Sequence, residues 1–126
     1  MGDLNDEPFN RSVNAWGLST RDSAQGLAGR SHYLLNLMWP LCGASQGSLL
    51  YDGRWNMLDQ ILVSRGIVTG SSGWTLAGPA TLECRPLIEK KPGSGPRRFG
   101  LGKGKGQVDL KGYSDHFPVG VRLVGG

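Results

Sequence analysis

Three short polar clusters interrupt stretches that are otherwise apolar or strand-like. They are Gly2-Asp3-Leu4-Asn5 near the start, Asp59 within the run from Met57 to Val63, and Ser114-Asp115-His116 just ahead of an alternating tail. A carboxylate inside an apolar strand is costly to bury unless a donor or a cation meets it, and His116 is the candidate partner for Asp59. Such a pair holds one ring tautomer and leaves the other nitrogen free to donate to an anionic group. Asp3 and Asp115, with the amide of Asn5, are hard oxygen donors suited to Mg²⁺ or Mn²⁺. Together these groups suit hydrolysis of a phosphate ester. A carboxylate takes the proton of the attacking water, the amide positions it, and a metal with a protonated histidine absorbs charge on the transferring phosphoryl group. Nucleophilic catalysis fits poorly, since neither Cys42 nor Cys84 has a histidine placed in sequence to activate it.

The elements that must position these clusters are short. After Pro8, the spacing of Phe9, Val13 and Trp16 predicts a brief helix over 9–17. Leu34, Leu37, Met38 and Leu41 fall at i, i+3, i+4 and i+7 and predict an amphipathic helix from Ala28 to Trp39, stopped by Pro40. Two strands joined at Asp52-Gly53 follow, one over 48–51 and one from Trp55 to Ser64. The second is apolar on both faces, through Met57, Leu58, Ile61, Leu62 and Val63, as a strand covered on both sides would be. Residues 70–80 read as a loop around Trp74, and Ala80 to Arg85 as a short extended piece. Phe117, Val119, Val121 and Leu123 alternate as a strand, near a sheet edge because of Pro118.

Length and composition set the outer bounds. At 126 residues, 38% hydrophobic and 19% charged, the chain is a single domain, and its 21 glycines make it loop-rich. No stretch reaches the roughly 18–20 apolar residues that cross a bilayer as a helix. The two cysteines have no Cys or His at ligand spacing, which argues against a structural zinc site and favours free thiols over a disulfide. The net charge of +4 is concentrated, because Lys90, Lys91, Arg97, Arg98, Lys103 and Lys105 have no acid among them. They lie in the Gly/Pro-rich stretch 86–111, a flexible basic insertion suited equally to screening phosphate charge or to acting as a solvated tether. Its glycine run at 100–106 lacks the Gly-Lys-Ser/Thr ending of a phosphate-cradling loop. His32 reads as an ordinary surface or packed histidine, and Trp55 and Trp74 as core or rim residues ahead of base-stacking platforms.

Gly2-Asp3-Leu4-Asn5-Asp6, then Trp55-Asn56-Met57-Leu58-Asp59-Gln60-Ile61-Leu62-Val63-Ser64, then Gly112-Tyr113-Ser114-Asp115-His116-Phe117-Pro118-Val119, occur in that order. They resemble the last three signature blocks of the endonuclease/exonuclease/phosphatase superfamily. The resemblance implies that Asp3 activates water and Asn5 orients nucleophile and phosphate. It implies that Asp59 hydrogen-bonds the terminal histidine, that His116 contacts the scissile phosphate, and that Asp115 is a metal-site carboxylate. The implied activity is metal-dependent phosphoesterase chemistry with Mg²⁺ or Mn²⁺ on a phosphate-ester substrate, nucleic acid included. DNA, RNA, inositol phosphates and phospholipid head groups are not distinguished. The alternative is a non-catalytic remnant or a phosphate- or nucleic-acid-binding module.

Members of that family are longer, with two facing sheets between outer helices and a metal-ligating Glu in their N-terminal half. The resemblance therefore implies that residues 1–126 are one partial domain, the C-terminal half of a four-layer α/β sandwich, with the missing N-terminal half of the same fold as its partner. A mostly antiparallel sheet is expected from strands near 48–51, 57–64, 80–85 and 117–124, with helices on one face and the other face prone to association. If the three blocks form one site, the Asp59 carboxylate lies roughly 2.6–3.2 Å from one ring nitrogen of His116, while the other nitrogen faces Asp3, Asn5 and Asp115.

Overall fold

With glycine recurring along the sequence, long helices do not propagate, and the backbone satisfies its hydrogen bonds in short paired segments. The computed structural model describes residues 1–30, 32–43, 45–83, 94–100 and 106–126. In order come Gly2–Asp3 (β1), a π-helical turn at Ser12–Trp16, Ser19–Thr20 (β2), Ser23–Leu27 (α1), Leu34–Asn36 (β3) and a 3₁₀ turn at Trp39–Leu41. Leu49–Tyr51 (β4), Arg54–Asn56 (β5), Asp59–Gln60 (β6), Leu62–Val63 (β7) and Arg65–Thr69 (α2) follow. Trp74–Leu76 (β8), Thr81–Leu82 (β9), Val119–Gly120 (β10) and Leu123–Gly125 (β11) complete the described elements. β1 pairs with β6, β4 with β5, β9 with β10 and β8 with β11, all antiparallel. β3 lies between β2, which is parallel to it, and β7, which is antiparallel. The architecture is thus mostly strands in small antiparallel sheets with a few short helices, compatible with an α/β class. Several small sheets replace the one expected sheet. No helix among the described residues is long and apolar enough to cross a membrane.

The helix expected from Ala28 to Trp39 does not form. Leu35 pairs with Thr20 on one side and Val63 on the other. The Asn36 carboxamide oxygen accepts the Met38 N–H at 3.0 Å, a local turn that competes directly with a helix. The apolar spacing still serves the core, for Met38 is fully buried and Leu37 and Leu41 pack against its cluster. The segment 9–17 contracts to its π-helical turn, in which Val13 is buried while Phe9 and Trp16 are exposed. Asp6 explains the contraction, since its carboxylate accepts from Asn10 Nδ2 at 2.6 Å and Ser12 Oγ at 2.5 Å and pins the chain ahead of the turn. Those two donors also lower the Asp6 carboxyl below its ordinary range, Ser12 first.

The expected strand from Trp55 to Ser64 is one extended path with three successive partners. β5 pairs with β4, β6 with β1 and β7 with β3. Residues 70–80 are not all loop, because β8 takes the C-terminal β11 as its partner, Leu76 opposite Leu123. Of the basic stretch 86–111, residues 86–93 and 101–105 lie outside the described residues, and so does Cys84. Its described parts are tied together. Arg97 donates to both carboxylate oxygens of Asp109 at 2.8 and 2.9 Å, and Gly100 N–H donates to the Asp109 carbonyl at 3.2 Å.

Met38, Met57, Ile61, Val63 and Ala80 form the buried core, with Leu35, Val119 and Val121 packed against it. Cys42 is a free, half-buried thiol at its margin, pushed up to about 11, first by burial and then by the charge of Glu7. Gly47 leads into β4 where a Cβ would stand 2.4 Å from the Asn56 carbonyl oxygen, so only glycine fits without moving backbone. Gly47→Ala is therefore expected to cost about 1–3 kcal/mol, the range for overpacking, and to lower the thermal midpoint by several degrees in a circular dichroism melt. Unchanged melting would show that the backbone approach is not tight.

The raised Cys42 thiol ties stability to pH. An unfolded thiol ionises near about 8.5, so between there and about 11 only the unfolded chain has lost its proton, and stability should fall as pH rises through that window. In a Cys84→Ser background, iodoacetamide at pH 8 should label native Cys42 slowly and the denatured chain quickly. Equal rates would contradict the burial.

Candidate active site

β1 and β6 bring two of the three polar clusters together by backbone pairing alone, with Asp3 directly opposite Asp59. Two carboxylates in that register repel. The third cluster supplies what stands between them. His116 Nδ1 lies 2.6 Å from Asp59 Oδ2, within the expected contact range, and its Nε2 lies 4.0 Å from Asp3 Oδ2. An ionised carboxylate can only accept, so Nδ1 carries the proton and donates. The His116 and Asp59 side chains are 19% and 14% exposed, whereas Asp3 is 39% exposed, so the pair is sheltered on its Asp59 side and open on its Asp3 side. Burial on one side and access on the other leaves Nε2 facing the solvent-accessible Asp3 side.

Asn5 sits at φ 54°, in the left-handed region that Asn tolerates better than most residues. Its N–H donates to Asp3 Oδ1 at 2.8 Å. This local turn fixes the Asp3 carboxylate so that its other oxygen faces the imidazole. Asp115, next to His116, points to Arg98 instead, with 3.7 Å between Arg98 Nε and Asp115 Oδ2. The structure thus joins Asp3, Asp59 and His116 and holds Asn5 through its backbone, while Asp115 faces the basic stretch. His32 is exposed, and Trp55 is half-buried with its ring stacked 5.9 Å from that of Phe117.

Sequence reasoning missed the polar residues that hold this arrangement. Glu7 Oε2 accepts the Met57 N–H at 3.0 Å. Gln60 is fully buried, accepts from Asn36 Nδ2 at 3.0 Å, and donates to the Asp6 carbonyl at 3.1 Å. Ser48, also fully buried, accepts the N–H groups of Leu58 and Asp59 on its hydroxyl. Gln60 carried the same signal as Asp59, a polar residue in an apolar run.

A divalent ion needs several hard donors around one point. Among the described residues, no group of three or more His, Cys, Asp or Glu side chains is placed to hold a metal ion. Asp3 and Asp115 are two hard donors, fewer than the coordination of such an ion requires. Gly43-Ala44-Ser45-Gln46-Gly47 has the spacing of a nucleophile elbow, and Ser45 has φ 56°. It lies between a 3₁₀ turn and β4 rather than between a strand and a helix, so the context of an elbow is lacking. A cavity of about 480 Å³ opens elsewhere, among Asn14, Ser19, Arg21, Gln25, Tyr33 and Trp39, and shares no residue with the His116 cleft.

The model of the Endonuclease/Exonuclease/phosphatase family matches residues 1–124. No curated protein and no solved structure matches the chain.

Proposed function

The chain belongs to the Endonuclease/Exonuclease/phosphatase family, and from that premise we propose that it hydrolyses a phosphate ester by activated water, with Asp3, Asn5, Asp59 and His116 as its working residues. One observation carries the reading: His116 stands between Asp59 at 2.6 Å and Asp3 at 4.0 Å, so that residues far apart in sequence face one opening. A gap of 4.0 Å is too long for a direct hydrogen bond and wide enough for a bridging oxygen, whether of water or of a phosphoryl group.

In this reading Asp59 holds the imidazole through Nδ1, and Nε2 donates to a phosphoryl oxygen as negative charge develops there. Asp3, fixed by the Asn5 N–H, takes the proton of the attacking water, and the Asn5 amide orients that water and the phosphate. A divalent Mg²⁺ or Mn²⁺ would supply Lewis-acid charge stabilisation when bound, and Asp3 and Asp115 are the donors we assign to it. Their number leaves the rest of its coordination to groups beyond those described. We read residues 1–126 as one domain contributing its small sheets to a four-layer α/β sandwich, with 86–111 as a basic insertion within its sequence.

The test is hydrolysis of bis(p-nitrophenyl) phosphate and of a labelled oligonucleotide with Mg²⁺ or Mn²⁺ present. His116→Ala and Asp3→Ala should each lower kcat by roughly 10²–10⁴-fold, the usual worth of a positioned acid or base. Hydrolysis by His116→Ala at the wild-type rate would refute the assignment. Salt-sensitive oligonucleotide binding without turnover would support the binding-module reading, which rests on the exposed Arg98 beside Asp115.

A further inference from the structure

We propose that Ser48 is a positioning residue for the Asp59 and His116 pair, a role that rests on reading that pair as the centre of a phosphoesterase site. Ser48 is fully buried and touches the backbone on both sides of the pair. Its hydroxyl oxygen accepts the N–H of Leu58 at 3.1 Å and that of Asp59 itself at 3.2 Å. Its carbonyl accepts the N–H of Phe117, next to His116, at 2.7 Å. The following residue, Leu49, forms a backbone bridge with His116. One residue thus fixes the main chain that carries the carboxylate and the main chain that carries the imidazole.

The need for it lies in the gap between β5 and β6. At 57–58 the chain leaves one partner strand before meeting the next, so N–H groups there have no ladder to join. A hydroxyl can accept two of them at once and a methyl can accept none. Without it, two part-buried donors lose their acceptor and residues 58–59 must shift toward other acceptors. The contact most exposed to such a shift is the 2.6 Å bond from His116 Nδ1, which holds the tautomer and aims Nε2 at Asp3. Ser48 acts through Asp59 and touches neither the imidazole nor the opening.

Nitrogen-15 spectra of the full chain labelled at histidine read this directly, with exposed His32 as an internal reference. The wild type should show a His116 Nδ1 proton protected from exchange, and Asp59→Asn should lose it. Ser48→Thr, which keeps the hydroxyl, should retain it. Ser48→Ala, and Ser48→Cys with its weak acceptor, should lose it and move the His116 ring signals in the direction seen for Asp59→Asn, with His32 unmoved. Folded Ser48→Ala or Ser48→Cys with an unchanged His116 would overturn the proposal. Failure of both to fold would also overturn it, by making the hydroxyl a general support.

If the wild type turns over substrate, Ser48→Ala should lower kcat roughly 10–100-fold, as loss of a histidine's orienting partner commonly does, with KM little changed. A displaced His116 in a chain without hydrolysis would leave the positioning role standing and remove the phosphoesterase reading. Hydrolysis with His116 indifferent to Ser48 would do the reverse.

Discussion

Asp3 and Asp59 face each other across β1 and β6, and two like charges in register are a liability that some donor must relieve. His116 relieves it from the far end of the sequence, and much of the fold follows from bringing it there. Phe117 is buried to 2% exposure and stacks on Trp55, its N–H is taken by Ser48, and Val119 and Val121 continue into the core. The apolar residues of the tail therefore deliver the imidazole, and the electrostatics at β1 and β6 give it a place to lodge. Removing the imidazole would leave the part-buried Asp59 carboxylate without its donor, a cost to the fold.

Two-residue strands cannot hold a path of ten residues by ladder bonds alone. Between Asn56 and Gln60, side chains take over the backbone's work: Glu7 accepts from Met57, Ser48 from Leu58 and Asp59, and Gln60 reaches Asp6 and Asn36. Such a network is more directional than apolar packing, and each member fixes a distance rather than merely excluding water. It also explains why the sheets stay small. The chain changes partner where polar side chains intervene.

The contact of Asp59 with His116 was more legible in the sequence than the fold. Asp59 in an apolar run is a local anomaly with few physical remedies, so the residue that answers it could be named from type alone. Leu34, Leu37, Met38 and Leu41 carry a spacing that suits a helix, but it is equally served by a strand followed by a 3₁₀ turn. What decides between them is Val63, far along the chain and unseen by any local period. The same holds for Trp74, whose strand exists because the tail comes back to pair with it. Ser48 and Glu7 left no mark, because a side chain that bonds backbone follows neither a period of two nor one of 3.6.

Two adjacent arginines near the cleft show how charge there is divided. Arg97 makes a bidentate pair with Asp109, part-buried, and this geometry fixes both partners. Arg98 meets Asp115 at 3.7 Å with side chains 58% and 47% exposed, a contact that solvent screens and that contributes little to stability. The first arginine is therefore held by Asp109, and its neighbour is left in a pair that another anion could displace at small cost.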